Sequence, residues 1–192
     1  MNYKEIHNIR IPIPESYTDC IILAKSDYYR YRGKDAGLLR MIYYAMLNPL
    51  FAFSFWLRLC TYKSKIPVLG YVVYCLSKIF KTIIGRRRGI MISEKMSLGY
   101  GFLLSHGFGV VINPSAVIGN NCTISQFSTI GAVEGKAAVV GDNVYLGPSV
   151  CLVENVKVGN NSIVGAGAVV AKSFTTPGTI IAGVPAKEIS GE

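Results

Sequence analysis

Through the second half of this chain, aliphatic residues recur every six positions. They stand at Ile92, Leu98 and Leu104, then at Ile112, Ile118, Ile124 and Ile130, and again at Val140, Leu146, Leu152, Val158, Val164 and Val170. Glycine follows the aliphatic at positions 99, 119, 131, 141, 147, 159 and 165, and small or β-branched residues recur at Ala116, Cys122, Ser128, Val144, Val150, Ser162 and Ala168. Neither the 3.6-residue period of a helix nor the two-residue alternation of an ordinary strand produces this spacing. A six-residue unit is a short strand plus a tight turn, and three such units close one triangular coil. Stacked coils bury the aliphatic position and pair each backbone segment with the coils above and below. The run holds about thirteen units, hence roughly four coils, and at about 4.8 Å per coil it builds a prism on the order of 20 Å tall. It slips by two residues at Val110-Val111 and by four inside Ala132–Val139.

The front half is built differently. Residues 1–95 hold 16 Lys and Arg against 6 Asp and Glu, whereas residues 96–192 hold 4 against 5, so the first half carries +10 and the second −1 of the net charge of +9. The division falls after Arg86-Arg87-Arg88, giving a basic, aromatic helical region over 1–88 and a repeat domain with a C-terminal tail over 89–192. With 51% hydrophobic and 16% charged residues, the chain is not disordered. Its five cysteines are an odd number, without CxxC spacing or a nearby His, so neither a zinc site nor a disulfide framework is expected. Reduced thiols and a polar start, MNYKEIHNIRIPIPE, predict a cytoplasmic protein.

The hexapeptide run, the segment LLSHGFGVVINPSAVIGNNCTIS and the ending AGVPAK resemble the hexapeptide-repeat acyltransferases. The likeness is to their serine-acetyltransferase-like branch, which includes relatives from polysaccharide gene clusters. It covers about residues 88–190, and more weakly 24–60 through SDYYRY and the aromatic helix after it. The resemblance implies a left-handed parallel β-helix preceded by an α-helical segment. It also implies a homotrimer that takes acetyl from acetyl-CoA in clefts between prisms, without a metal.

Of the two histidines, His7 lies in a polar N-terminal tail and is expected to be inert. His106 stands directly before the two-residue slip, and it matches the family's catalytic histidine in HxxGVVI. An alcohol attacks a thioester poorly unless its proton leaves as the bond forms, and a neutral imidazole can accept that proton. Backbone amides at Gly131-Ala132, where the family keeps a glycine pair, would then stabilise the oxyanion. The family's acidic residue before the histidine is Ser105 here, its aspartate fifteen positions before is Met91, and its long Arg-His loop is cut to Ala132–Lys136. Asp27 matches an N-terminal aspartate that contacts substrate in the family, or it caps the helix that follows. Either Asp27 or Glu94 would have to replace the missing imidazole partner. For the donor, the matching positions are Pro148, Ala166 and Lys187, against the alternatives of ordinary repeat geometry and a solvated charge.

Residues 36–60 and 66–84 read as hydrophobic helical stretches, the first interrupted by Asn48-Pro49. Met41–Leu57 is seventeen uncharged residues, at the short limit for a membrane span. The stretches are expected to pack on the prism base as its cap. Lys78, Lys81 and Arg86–Arg88, interleaved with apolar residues, also suggest peripheral contact with the inner face of a membrane. No nucleic-acid-binding motif accompanies the charge. With the residues that recognise an amino acid gone, the acceptor expected is a sugar hydroxyl in capsular, exopolysaccharide or O-antigen biosynthesis. A serine O-acetyltransferase and a catalytically inert scaffold are the rivals.

Overall fold

The computed structural model describes residues 1–62 and 67–189; Ile66, which opens the second hydrophobic stretch, and the last three residues lie outside the described residues. Two strands, β1 (Asn2–Ile6) and β2 (Ile9–Ile13), come first, followed by four helices: α1 (Tyr17–Arg32), α2 (Leu38–Leu47), α3 (Pro49–Cys60) and α4 (Pro67–Arg88). Asn48 ends α2 and caps α3, accepting from the Leu50 and Phe51 amides at 3.0 Å each, with Pro49 at the first helical position. The first hydrophobic stretch is therefore two helices rather than one long one.

From Met91 onward the chain winds as a left-handed parallel β-helix, as the six-residue spacing and the family likeness together predict. Its first face stacks Met91–Ile92, Val111–Ile112, Thr129–Ile130, Cys151–Leu152 and Val169–Val170 in parallel register. The second stacks Ser97–Leu98, Val117–Ile118, Val139–Val140 and Lys157–Val158. The third runs from Leu103–Ser105 through Thr123–Ser125, Tyr145–Leu146 and Ile163–Val164 to Ile180–Ala182, and the antiparallel strand Lys187–Glu188 finishes it. The repeated aliphatic residues point inward and are almost wholly buried, from Leu104 and Ile118 to Val170 and Ile181. Glycine after the aliphatic has a steric cause: a Cβ on Gly99 would lie 2.5 Å from the Gly119 carbonyl carbon of the next coil.

The open lower end is covered as expected. Phe53 and Leu57 of α3 join the same hydrophobic core as Ile90, Leu98 and Leu104. A buried polar tie fixes the helices to the first coil. Arg58 Nε and Nη2 donate to the two Asp27 carboxylate oxygens at 2.8 and 2.9 Å, and the same guanidinium donates to the carbonyls of Leu98 and Gly99. Ser54 Oγ and the Phe102 amide complete the carboxylate's partners at 2.7 and 2.8 Å.

The N-terminal segment departs from the expected inert tail. The β1–β2 hairpin turns at His7 and Asn8, both with positive φ, the backbone of a tight two-residue hairpin turn. Ile9 and Ile11 pack on Val117 of the second face. The alternation Ile9, Ile11, Ile13 carried this signal.

Candidate functional site

Three corners join the faces, and the one between the third and first faces carries His106. Strand pairing runs Ser105 beside Ser125, Ile124 beside Leu146 and Leu146 beside Val164. One or two residues further on, His106, Gln126, Pro148 and Ala166 therefore form a single column up this edge, one coil apart. The family resemblance singles out three of those four, and the fold brings them into line. Lys187 pairs with Ala182, the strand above Gly165, so it lies exposed near the far end of the same edge.

The lowest corner differs from those above it. The regular coils cross from the third face to the first through a left-handed residue at Phe127, Ser149 and Gly167, with φ of 59°, 59° and 71°. In the first coil, Gly109 occupies that position at 62°, and His106 is left-handed as well, at 54°. Between them lie Gly107 and Phe108, the two residues that shift the repeat. A left-handed backbone is uncommon for histidine. Here it throws the side chain out of the corner, where it is exposed. Gly107 is held down because a Cβ there would meet the Leu50 side chain of α3 at 2.8 Å, and Phe108 lies under the Arg88 guanidinium, 4.7 Å from its ring centre.

Neither carboxylate considered as a partner of His106 is free to serve it. Asp27 is fully buried and saturated by Arg58, Ser54 and Phe102, which makes it a tie between helices and prism, with no oxygen left to reach a substrate. Glu94 accepts from Lys78 at 3.0 Å and from Lys81; burial pushes its carboxyl up, but these ammonium groups outweigh burial and hold it down at about 2. Among the described residues, none hydrogen-bonds the His106 imidazole. Ser105, half-buried, ends the strand that delivers His106.

Gly131 and Ala132 lie elsewhere, at the corner between the first and second faces. With six residues to a face at about 3.3 Å each, that corner is roughly 20 Å from the His106 edge of the same chain. The Gly131 amide is also occupied, donating to the Leu152 carbonyl at 3.1 Å. Together with Met91, Lys81 and Arg86, the pair lines a largely apolar groove of about 760 Å³ against α4. The four extra residues after it are held by Glu154, whose Oε2 accepts from the amides of Val133, Glu134 and Gly135 at 2.8 to 3.1 Å.

On α4, Lys78 and Lys81 pair with Glu94 and Arg88 covers Phe108, whereas Arg86 and Arg87 stay exposed. No helix among the described residues is long and apolar enough to cross a membrane. No group of His, Cys, Asp and Glu among the described residues has the arrangement of a metal site.

Residues 137–172 match a family model described as bacterial transferase hexapeptide (six repeats). No curated protein matches the chain by sequence. Among solved structures, serine acetyltransferase from Neisseria gonorrhoeae in complex with serine is 26% identical over 88% of this chain and 69% of its own, with a TM-score of 0.70. Serine acetyltransferase from Brucella abortus strain S19 is 22% identical over 90% of this chain and 69% of its own, also at 0.70. A serine acetyltransferase in complex with CoA is 21% identical over 90% and 70%, again at 0.70. These likenesses overturn the saccharide acceptor expected from the missing Arg-His pair, and with it the role in polysaccharide biosynthesis. The loss of that loop removes partners for one substrate without supplying any for another, and it was too slight a basis for changing the acceptor class. Repeat, fold and family model agree: the chain is a hexapeptide-repeat acyltransferase of the serine-acetyltransferase fold.

Proposed function

We propose that the protein transfers acetyl from acetyl-CoA to the hydroxyl of serine, with His106 as the general base. The observation that carries this reading is the column His106–Gln126–Pro148–Ala166, which sets one exposed imidazole at the foot of a straight edge of small and half-buried residues. Two of the similar structures are complexes, one with serine and one with CoA, and this supports the same pair of ligands here. The pantetheine arm would lie along Pro148 and Ala166, with Lys187 meeting a phosphate at the upper end. Its thioester would then stand beside His106.

The imidazole takes the serine hydroxyl proton as the oxygen attacks the acetyl carbon. The C–S bond breaks when the oxyanion collapses, and the imidazolium returns its proton to the leaving thiolate. Acetyl passes directly from sulfur to oxygen. Gly131 and Ala132 are too far from His106 in one chain, so their groove could face the reaction only from a neighbouring copy, and the Ala132 amide is the one of the two without a partner among the described residues. The test is thiol release from acetyl-CoA with and without serine. Serine-dependent release that disappears in His106→Ala supports the reading, and no serine dependence at millimolar concentration overturns it.

A further inference from the structure

At the His106 edge the corner amides are already committed. Gly109 N–H donates to the Arg88 carbonyl, Phe127 N–H to Phe108, Ser149 N–H to Gln126 and Gly167 N–H to Pro148, all at 2.7 to 2.9 Å. An arriving ligand with amides of its own therefore finds few backbone partners here. Gln126, in the middle of the column, is different. Its carboxamide oxygen is shielded from solvent and has no hydrogen-bond partner among the described residues, while the residue as a whole is only half-buried and reaches the surface. An unmet buried acceptor is costly. A rotamer change that carries the whole carboxamide outward lets its oxygen meet a donor arriving at the edge without burying the NH2 group in its place.

The spacing says which donor. Gln126 lies one coil above His106, a rise of about 4.8 Å. In acetyl-CoA the nitrogen of the cysteamine amide is separated from the thioester carbon by the sulfur and two methylenes, a span of about 5 Å when extended. A thioester carbon seated beside His106 thus carries its first amide N–H to the level of Gln126.

We propose that Gln126 binds and positions the acetyl donor: its side-chain oxygen accepts the cysteamine amide N–H and so fixes the thioester beside His106. This rests on the donor placement given under Proposed function. Glycine or alanine at position 126 would leave the groove intact but lose its gauge. The same geometry predicts discrimination by the donor's amide rather than by its nucleotide.

The test uses the full chain, two small donors and CoA itself. S-acetyl-N-acetylcysteamine carries the amide, and S-ethyl thioacetate lacks it. The wild type should favour the first in kcat/KM by roughly tenfold, the effect of one lost hydrogen bond. In Gln126→Ala that preference should collapse towards one, and the KM for acetyl-CoA should rise several-fold while the KM for serine holds. Gln126→Glu, which keeps an acceptor oxygen, should retain most of the preference, and Gln126→Met replaces the alanine variant if circular dichroism shows that it misfolds. Calorimetry with CoA separates the two levels of the argument. If wild type fails to bind CoA, the proposed function falls and takes this inference with it. If wild type binds CoA but shows no preference for the amide donor, or Gln126→Ala keeps both the preference and the CoA affinity, this inference alone is overturned.

Discussion

The repeat is interrupted twice, and the two interruptions are unlike in almost every respect. The two-residue one, Gly107-Phe108, rests on the helices below: Leu50 crowds Gly107 and Arg88 covers Phe108. It leaves an exposed, left-handed histidine that no side chain holds. The four-residue one, after Gly131-Ala132, is a surface loop whose backbone is tied by neighbours from the coils above and below. Glu154 takes three of its amides, Asn155 the Lys136 amide and Ser115 the Ala137 amide. A coil ladder tolerates extra residues where other groups satisfy the backbone they displace. What such an insertion can do depends on whether it also frees a side chain. The first does, and the second is mostly occupied with holding itself together.

The sharpest way to break this contrast is to remove the freed side chain. His106→Ala should lower acetyl transfer by roughly 10²–10⁴-fold, the usual share of a general base, and leave melting temperature and CoA affinity nearly unchanged. Because the imidazole is exposed and makes no hydrogen bond among the described residues, a marked loss of stability in this variant would show that the corner is structural after all.

The next largest effect should come from the platform beneath that corner. Asp27→Ala leaves the Arg58 guanidinium buried without its carboxylate, and breaking such a pair costs about 3–5 kcal/mol. For a chain of this size that is a fall in melting temperature on the order of 10 °C. Replacing both partners by apolar residues should recover part of the loss. If Asp27→Ala instead melts like wild type and loses only its affinity for serine, the family's substrate-contacting role holds here and the structural tie is secondary.

These particulars show what the sequence could and could not reveal. The prism was legible because burial is strictly periodic: each aliphatic position points inward once per face, so a one-dimensional pattern reports a three-dimensional fact. Both slips were visible for the same reason, although the first lies at Gly107-Phe108, ahead of the valines where the spacing shifts. The column of His106, Pro148 and Ala166 followed from matching motifs, whereas Gln126 carried no motif and became visible only through register. Asp27 misled because a buried ion pair and a substrate contact look alike in sequence; the deciding partner, Arg58, lies 31 residues away on another helix. The β1–β2 hairpin was missed because its alternation is short and sits in a polar stretch.

Deleting residues 133–136 restores six-residue spacing at the second interruption and should be mild. The loop buries little, since Val133, Glu134, Gly135 and Lys136 are exposed, so the shortened chain should fold and melt within a few degrees of wild type. Its transfer rate is the informative readout. Unchanged activity would detach Gly131-Ala132 from the chemistry, whereas a drop at constant stability would bring their groove into it.

The smallest expected effect is a local one that depends on pH. The Gly135 amide, followed by those of Val133 and Glu134, holds the Glu154 carboxyl below its ordinary value near 4.5. A group whose pKa is lower in the folded chain stabilises that fold above its unfolded pKa and loses the contribution as pH falls through the folded one. The clamp should therefore be complete at neutral pH and open only below about 4.5, in acid too strong to matter for transfer. Because Glu154 is only half-buried and its partners are amides of an exposed loop, opening should loosen the loop without unfolding the prism. Hydrogen exchange of the Val133, Glu134 and Gly135 amides reads this directly. Protection at pH 6 should shrink in Glu154→Gln, whose amide oxygen accepts more weakly than a carboxylate, while the Ile118 and Leu146 amides stay protected. Equal protection in both proteins would mean that the loop is held by Asn155 and Ser115, and the second interruption would then owe nothing to charge.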